Sequence, residues 1–200
     1  MQLGICLPQL GPTAEGAKVA DVARRAEEVG YDSLWVGDRL LTPEAPKDFY
    51  PVGGTAESPY PPEFTAALDP IVTLTAAAVA TSRVRLSFST LIPTWHNAVL
   101  LARALTSLDA VSEGRLELGL GTSWMRDEYE VAGVPWEERG ARLDEMLDVF
   151  EKVWADSAVE HSGRFWEIPA STWDLRPAQV GGPSVLLGGF TSAAMNLAGA

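Results

Sequence analysis

The sequence is poor in the residues that form disulfides and metal sites. Its 200 residues include one cysteine, Cys6, and two histidines. An internal disulfide therefore cannot form, and no His/Cys pair stands at metal-ligand spacing. We predict that the protein binds no metal and works in a reducing, cytoplasmic compartment. Because Cys6 lies within the apolar run LGICLPQ, we also predict that its thiol packs in the interior.

Positive charge and long hydrophobic runs are also scarce. The chain has 15 Lys and Arg against 27 Asp and Glu, which gives a formal net charge of −12 at pH 7. Such an acidic protein is a poor ligand for nucleic acid or for an anionic membrane surface. The longest apolar run, TLTAAAVA, is far shorter than the ~20 residues of a membrane span. The N-terminus also lacks the basic start of a signal peptide. We therefore predict a small-molecule substrate, with no nucleic-acid or membrane partner.

What the sequence does contain is a regular alternation of strand and helix patterns. Apolar runs predict five strands, at residues 3–9, 33–38, 84–90, 115–120 and 184–189. Helical periodicity predicts helices at 15–29, 69–80, 97–111 and 135–154, and one more that begins in TSAAMNLAGA. The irregular segment 155–183 could hold a short hairpin with FWEI as one arm. This order predicts parallel βαβ units within one domain, either in a doubly wound sheet or in part of a (β/α)8 barrel.

A proline-rich stretch interrupts this alternation after the second strand. Residues 42–68 contain six prolines and no helical or strand period. Loops of this length inside compact domains are often functional lids and are otherwise disordered. The stretch ends at Asp69-Pro70, which predicts an N-cap followed by proline at the first helical position.

Three segments in a fixed order resemble a known family. LARALTSLDAVSEGRLELGLG, VPWEERGARLDEML and SVLLGG are similar to segments of the bacterial luciferase-like superfamily, particularly its coenzyme F420-dependent oxidoreductases. The opening LGICLPQ…AEEVGYDSLWVGD is similar to the family's first βαβ unit, so the likeness covers nearly the whole chain. The resemblance implies a (β/α)8 TIM-type barrel with about five of eight βα units present. Residues 1–200 would then be a C-terminally truncated luciferase-like domain, with 42–68 as its lid.

The resemblance also implies a function. Members of the family use either FMN or F420, and the likeness is closest to the F420 users, so F420 is our first choice. The expected activity is that of an oxidoreductase or monooxygenase, with hydride transfer or oxygen insertion on a small organic substrate. The alternative is a non-catalytic barrel fragment that binds a phosphate-bearing ligand or a partner chain. Unpaired strand edges are compatible with a homodimer.

Small residues follow three of the predicted strands and mark the expected cofactor site. In a barrel, the carboxyl ends of the strands form the active site. The cofactor-binding candidates are Ser89, Thr90, Gly121, Thr122, Ser123, Gly188, Gly189 and Thr191. In GRLELGLGTSW, bare backbone would let a cofactor approach, unless packing demands the glycines. In GGFTS, a helix start could hold the cofactor's phosphate, or it is a tight turn. The resemblance adds Asp127 and a non-prolyl cis peptide at Ser89–Thr90; for Asp127, an exposed helix start is the alternative.

The catalytic candidates are Asp38, Arg39 and His96. Many F420-dependent relatives have an acid followed by histidine after the second strand, whereas this chain has Asp38 followed by Arg39. A guanidinium stays protonated near neutral pH and cannot shuttle protons. Arg39 could instead bind an anionic substrate or stabilise a reduced ring, or the pair could form a surface turn. His96 could donate a proton or stack on the ring, or lie in an exposed loop.

Two further residues bear on substrate and surface. Trp124 stands where the family's F420-dependent sugar-phosphate dehydrogenases have a glutamate that serves acid–base chemistry. This difference argues against a sugar phosphate as the substrate. His161 lies in the irregular segment and is predicted to be a surface residue.

Overall fold

A five-stranded parallel sheet forms the centre of the computed structural model, which describes residues 1–155 and 157–189. The strands of the described chain are β1 (Gly4–Cys6), β2 (Ser33–Val36), β3 (Arg85–Phe88), β4 (Leu116–Leu120), β5 (Ala158–Ser162), β6 (Glu167–Thr172) and β7 (Ser184–Leu187). The sheet order is β1-β2-β3-β4-β7, and every pair is parallel. The five predicted strands are therefore confirmed, although each is shorter than predicted.

The helices follow the predicted order, with one addition. They are α1 (Val19–Glu28), α2 (Pro70–Ala80), α3 (Ala98–Val111), α4 (Arg126–Val131) and α5 (Arg139–Ala155). Asp69 caps α2 by accepting a hydrogen bond from the Val72 N–H at 2.8 Å. Asn97 caps α3 in the same way. The short α4 was not predicted, because six residues are too few to show a helical period. The helix predicted after residue 190 lies outside the described residues.

The core lies between one face of the sheet and the helices. Leu34, Leu86 and Leu118 point from neighbouring strands into it, and helices α2 and α5 contribute buried residues such as Leu74 and Phe150. This arrangement follows from the continuous apolar runs that parallel strands need when helices cover them. Within the described residues, no helix is both long and apolar enough to cross a membrane.

The opposite face of the sheet is partly open. Trp35, Arg85 and Glu117 lie on it, and the Arg85 Nε is 3.0 Å from a Glu117 carboxylate oxygen. Cys6 shares this face, because it pairs in register with Trp35, and it is exposed. The prediction that Cys6 packs in the interior was therefore wrong. The apolar run around it belongs to an edge strand, whose alternate residues turn away from the helices.

Strands β5 and β6 form an antiparallel hairpin that packs beside α5. The predicted arm FWEI contributes only Glu167 and Ile168 to β6. The prediction that His161 is a surface residue was wrong, because it is 5% exposed and its Nε2 lies 3.1 Å from Glu145 on α5. The hairpin folds back onto α5, and sequence periodicity gives no sign of that contact.

Candidate functional site

The carboxyl ends of β3, β4 and β7 meet on one rim of the sheet. The Leu91 N–H donates to the Gly119 carbonyl at 2.8 Å, and the Gly121 N–H donates to the Leu91 carbonyl at 3.0 Å. The Gly188 N–H donates to the Leu120 carbonyl at 2.7 Å. The turns at 121 and 188 are therefore neighbours, as the barrel interpretation requires.

Thr90 fills the space that these glycines leave open. A Cβ at Gly121 would lie 2.6 Å from the Thr90 hydroxyl oxygen, and one at Gly188 would lie 2.7 Å from its methyl carbon. The Ser89–Thr90 peptide bond is cis, as the resemblance implied. The rim is therefore built around the bulge at the end of β3.

The need for glycine at position 119 comes from the close approach of β3 and not from a ligand. A Cβ at this position would lie 1.9 Å from the Phe88 carbonyl oxygen, a distance that no side chain tolerates. The backbone that looks bare in GRLELGLGTSW is thus covered by the neighbouring strand. Of the two interpretations of these glycines, packing holds for Gly119.

Asp38 follows β2 and sits at this rim as a mostly buried acid. Its Oδ2 accepts a hydrogen bond from the Ile92 N–H at 3.0 Å. Burial raises the pKa of Asp38 to about 7, and the charges of Glu128 and Asp69 act in the same direction. The Ile92 hydrogen bond and the charge of Arg39 oppose the rise in pKa. A carboxyl group with a pKa near neutrality can either give or take a proton under ordinary conditions.

Arg39 is buried, so the surface-turn alternative was wrong. Its side chain is 7% exposed, and its Nη2 lies 3.1 Å from the Oε1 of Glu128, whose side chain is fully buried. The guanidinium carbon lies 5.1 Å from the ring centre of Phe64 and 4.9 Å from that of Trp124. Burial lowers the pKa of Arg39, and the charge of Glu128 opposes this effect. Arg39 is thus held in place by an anion and two aromatic rings.

Glu128 is the site residue that sequence reasoning undervalued. Besides Arg39, its carboxylate accepts hydrogen bonds from the Leu40 N–H at 2.9 Å and the Ser123 hydroxyl at 3.0 Å. Burial raises the pKa of Glu128, and the charge of Arg39 opposes the rise. Glu128 therefore links the segment after β2 to the turn after β4. Its sequence signal is weak, because α4 carries acids at 127, 128 and 130 and only position 128 is buried.

Other candidates lie farther from this centre or have structural partners. The Asp127 carboxylate accepts the Lys47 N–H at 3.0 Å and so anchors the long loop. The Thr122 carbonyl accepts the Tyr129 hydroxyl at 2.8 Å. His96 is an exposed residue. Partial desolvation of its ring by the surrounding protein lowers its pKa, and the charge of Asp69 opposes this effect. Gly189 ends the described chain after β7, and Thr191 lies outside the described residues.

The loop 42–68 is docked against α4. Lys47 forms an ion pair with Glu130, and the Arg126 N–H donates to Asp48 at 2.9 Å. The ring of Tyr50 meets that of Trp124 edge-on, with 5.5 Å between the ring centres. The loop thus packs against the protein beside the rim and does not extend into solvent.

Two cavities flank the rim. The loop cavity, of about 510 Å³, is lined by Ala14, Arg39, Leu40, Leu41, Thr42, Phe64, Thr65, Ala66, Ala67 and Leu68. The rim cavity, of about 460 Å³, is lined by Cys6, Leu7, Pro8, Gln9, Leu10, Thr13, Val22, Trp35, Val36, Gly37, Glu63 and Ser89. Buried Gln9 separates them, because its side-chain NH2 donates to the carbonyls of Gly37 and Leu68 at 2.6 and 2.7 Å. Both volumes fall within the range of small-molecule sites.

Comparison with known proteins identifies the family. The family model described as luciferase-like monooxygenase matches residues 1–200. The chain belongs to the luciferase-like monooxygenase family. Its fold is therefore that of the family's (β/α)8 barrel, incomplete here with five parallel strands. The family includes F420-dependent enzymes, which supports an enzymatic role.

Several individual members of the luciferase-like family resemble the chain. An uncharacterized protein of Mycobacterium tuberculosis is 33% identical over 165 residues, which cover 82% of this chain and 58% of the relative. The F420-dependent glucose-6-phosphate dehydrogenase of Amycolatopsis mediterranei is 32% identical over 189 residues, which cover 88% and 50%. The crystal structure of monooxygenase RslO1 from Streptomyces bottropensis superimposes with a TM-score of 0.74 at 27% identity, covering 94% of this chain and 53% of that one. The chain thus spans about half the length of the curated relatives it matches.

The rim cavity fits part of a luciferase-like family cofactor. Apolar side chains such as Leu7, Pro8 and Trp35 and the backbone at Ser89 suit a planar ring. Among the described residues that line this cavity there is no Lys or Arg, whereas Glu63 is present. The residues therefore fit the ring of FMN or F420, and the described chain offers no cation there for the anionic part.

Proposed function

We propose that the chain provides the cofactor ring site and the acid–base group of an F420- or FMN-dependent oxidoreductase, with F420 as the first choice. The enzyme would carry out hydride transfer or oxygen insertion on a small organic substrate. The observation that carries this proposal is the position of Asp38. A carboxyl group with a pKa near neutrality lies at the same rim as the neighbouring turns at 121 and 188.

A bound cofactor would accept or deliver a hydride, or activate oxygen in its FMN form. The chain's own residues would position the ring and exclude water. We assign the ring contacts to Ser89 and Thr90, where the bulge meets the rim cavity, and to backbone at Thr122, Ser123 and Gly189. Gly121 and Gly188 would act by making room for Thr90. Asp127 fits an anchoring role better than a cofactor contact, because it holds the backbone at residue 47.

Asp38 would move the proton that accompanies the chemistry. Its carboxyl group gives or takes that proton at Oδ1 or Oδ2, while the Ile92 N–H fixes its orientation. His96 is the second candidate for this role, since its ring is accessible to solvent. Loop 42–68 would serve as the lid that keeps water out.

The test of this proposal is a spectroscopic titration. The purified protein is titrated with F420 and, separately, with FMN, and the absorbance of the ring is followed. We expect a shift with at least one cofactor. Cys6→Trp, which places an indole in the rim cavity, should abolish the shift, whereas the matched control Cys6→Ser should retain it.

Two outcomes would overturn the proposal. One is the absence of a shift with either cofactor, and the other is an unchanged shift in Cys6→Trp. Binding of inorganic phosphate without any cofactor shift would instead support the non-catalytic alternative, which the partly open face of the sheet motivates.

A further inference from the structure

We infer that the loop cavity takes a neutral substrate group, because the one cation that lines it is already neutralised by Glu128. This inference rests on the proposed function and adds to it that the loop cavity holds the substrate beside the rim.

The loop cavity is lined mainly by uncharged residues. Seven of its ten residues have apolar side chains, among them Leu40, Leu41, Phe64 and Leu68, and Thr42 and Thr65 add hydroxyl groups. Arg39 is the single charged residue of this lining. Backbone and hydroxyl groups supply more of the exposed lining than these apolar side chains do, so the cavity suits a neutral ligand that also offers hydrogen-bonding groups.

The positive charge of Arg39 is already balanced within the protein. Its guanidinium lies 3.1 Å from the Glu128 carboxylate, and both side chains are almost completely buried. When ionised, Asp38 adds a further negative charge that acts on Arg39. An anion that enters the loop cavity would therefore lose its hydration without gaining a free cation. Burial of an unpaired carboxylate or phosphate is strongly unfavourable.

The side chain of Arg39 is also held in place by its neighbours. Phe64 and Trp124 cover its guanidinium, its Nη2 faces Glu128 and the Met125 sulfur, and only 7% of the side chain is exposed. Arg39 is thus a positioning residue that holds the cavity walls together. This geometry argues against the sequence-based expectation that Arg39 binds an anionic substrate.

The test compares two ligands of nearly the same shape and different charge. Benzamide and benzoate are each titrated into the wild-type protein at neutral pH, and binding is followed by ligand-observed NMR. We expect benzamide to bind at least about tenfold more tightly than benzoate, a difference of ~1.4 kcal/mol. Equal or tighter binding of benzoate, or no binding of either compound, would overturn the inference.

Variants locate the binding and test its cause. Ala66→Trp should abolish benzamide binding by filling the loop cavity, whereas Ala56→Trp, on the same loop but outside the lining, should not. Glu128→Gln leaves the charge of Arg39 unbalanced and should shift the preference toward benzoate about tenfold. Glu130→Gln, the same change on the exposed side of α4, should not shift it. Circular dichroism first checks folding, and if Glu128→Gln does not fold, the two tryptophan variants and the wild-type comparison decide.

The two proposals fail in different ways. If benzamide is preferred but no cofactor shift occurs, the proposed function is overturned and the selectivity of the loop cavity is supported. If a cofactor shift occurs but benzoate is preferred, the proposed function is supported and the inference about the substrate is overturned.

Discussion

The buried ion pair between Arg39 and Glu128 offers the sharpest test of how the site is held together. The perturbation is Arg39→Met, which keeps a long side chain between Phe64 and Trp124 but removes the charge. Glu128 would then be a fully buried carboxylate that has lost its cation and keeps hydrogen bonds from donors such as the Leu40 N–H and the Ser123 hydroxyl.

The expected loss in the free energy of unfolding is about 3–5 kcal/mol, which is typical when one partner of a buried pair is removed. For a chain of this length, that loss lowers the melting temperature by roughly 6–20 °C. The loss should also depend on pH. Burial raises the pKa of Glu128 in the folded protein, and Arg39 opposes the rise, so Arg39→Met raises that pKa further. A carboxyl group with a raised folded pKa loses stability as pH rises from its unfolded toward its folded pKa.

The assay is urea unfolding followed by circular dichroism at about pH 5 and about pH 8. The destabilisation by Arg39→Met should be larger at the higher pH, and the double variant Arg39→Met/Glu128→Gln should recover part of it. A loss below about 1 kcal/mol at the higher pH, or a loss that does not change with pH, would refute the buried ion pair.

Three further predictions concern other parts of the structure. Because the pKa of Asp38 rises from 3.8 to about 7 on folding, the wild type should lose stability between those pH values, and Asp38→Asn should remove this slope in urea unfolding while lowering kcat more than it changes KM. Burial raises the pKa of Glu145, but N–H donors of the β5–β6 hairpin outweigh it and lower that pKa. Glu145→Gln should therefore reduce the free energy of unfolding by about 1–3 kcal/mol at neutral pH, and the variant should lose less of its stability than the wild type as pH falls below 4.5. Gly119→Ala should lower the free energy of unfolding, measured by thermal unfolding, by about 1–3 kcal/mol. Gly140→Ala should not lower it, because an added Cβ there would meet only open space. Wild-type stability that does not change between pH 3.8 and about 7 would contradict the prediction for Asp38. Acid unfolding of Glu145→Gln like that of the wild type, or equal effects of Gly119→Ala and Gly140→Ala, would contradict the other two.

Much of the fold could be predicted from local patterns. Runs of six or seven residues located all five sheet strands, and Asp69 and Asn97 marked two helix starts with the hydrogen bonds expected of caps. Such signals act between residues close in the chain, so the sequence displays them directly. The short α4 escaped because one turn and a half of helix has too few apolar positions to show a period.

The candidate site could be predicted in part. The ends of the strands placed Asp38 and the turns at 121 and 188 on one rim, and the structure brings them together. The partners of Arg39 could not be predicted, because Phe64 and Glu128 are separated from it by a long loop and by two strands. The same holds for His161, whose burial depends on a carboxylate 16 residues away on α5.

The sequence by itself determined the parallel α/β class, the family, and the rim on which chemistry would occur, since strand direction and end residues follow from local order. Only the tertiary structure decided what each polar group does there. Whether Arg39 is free to bind an anion depends on where Glu128 lies, and whether Gly119 serves a ligand depends on how closely the Phe88 carbonyl approaches. Burial and charge pairing arise from distances between distant segments, and these distances exist only once the chain has folded.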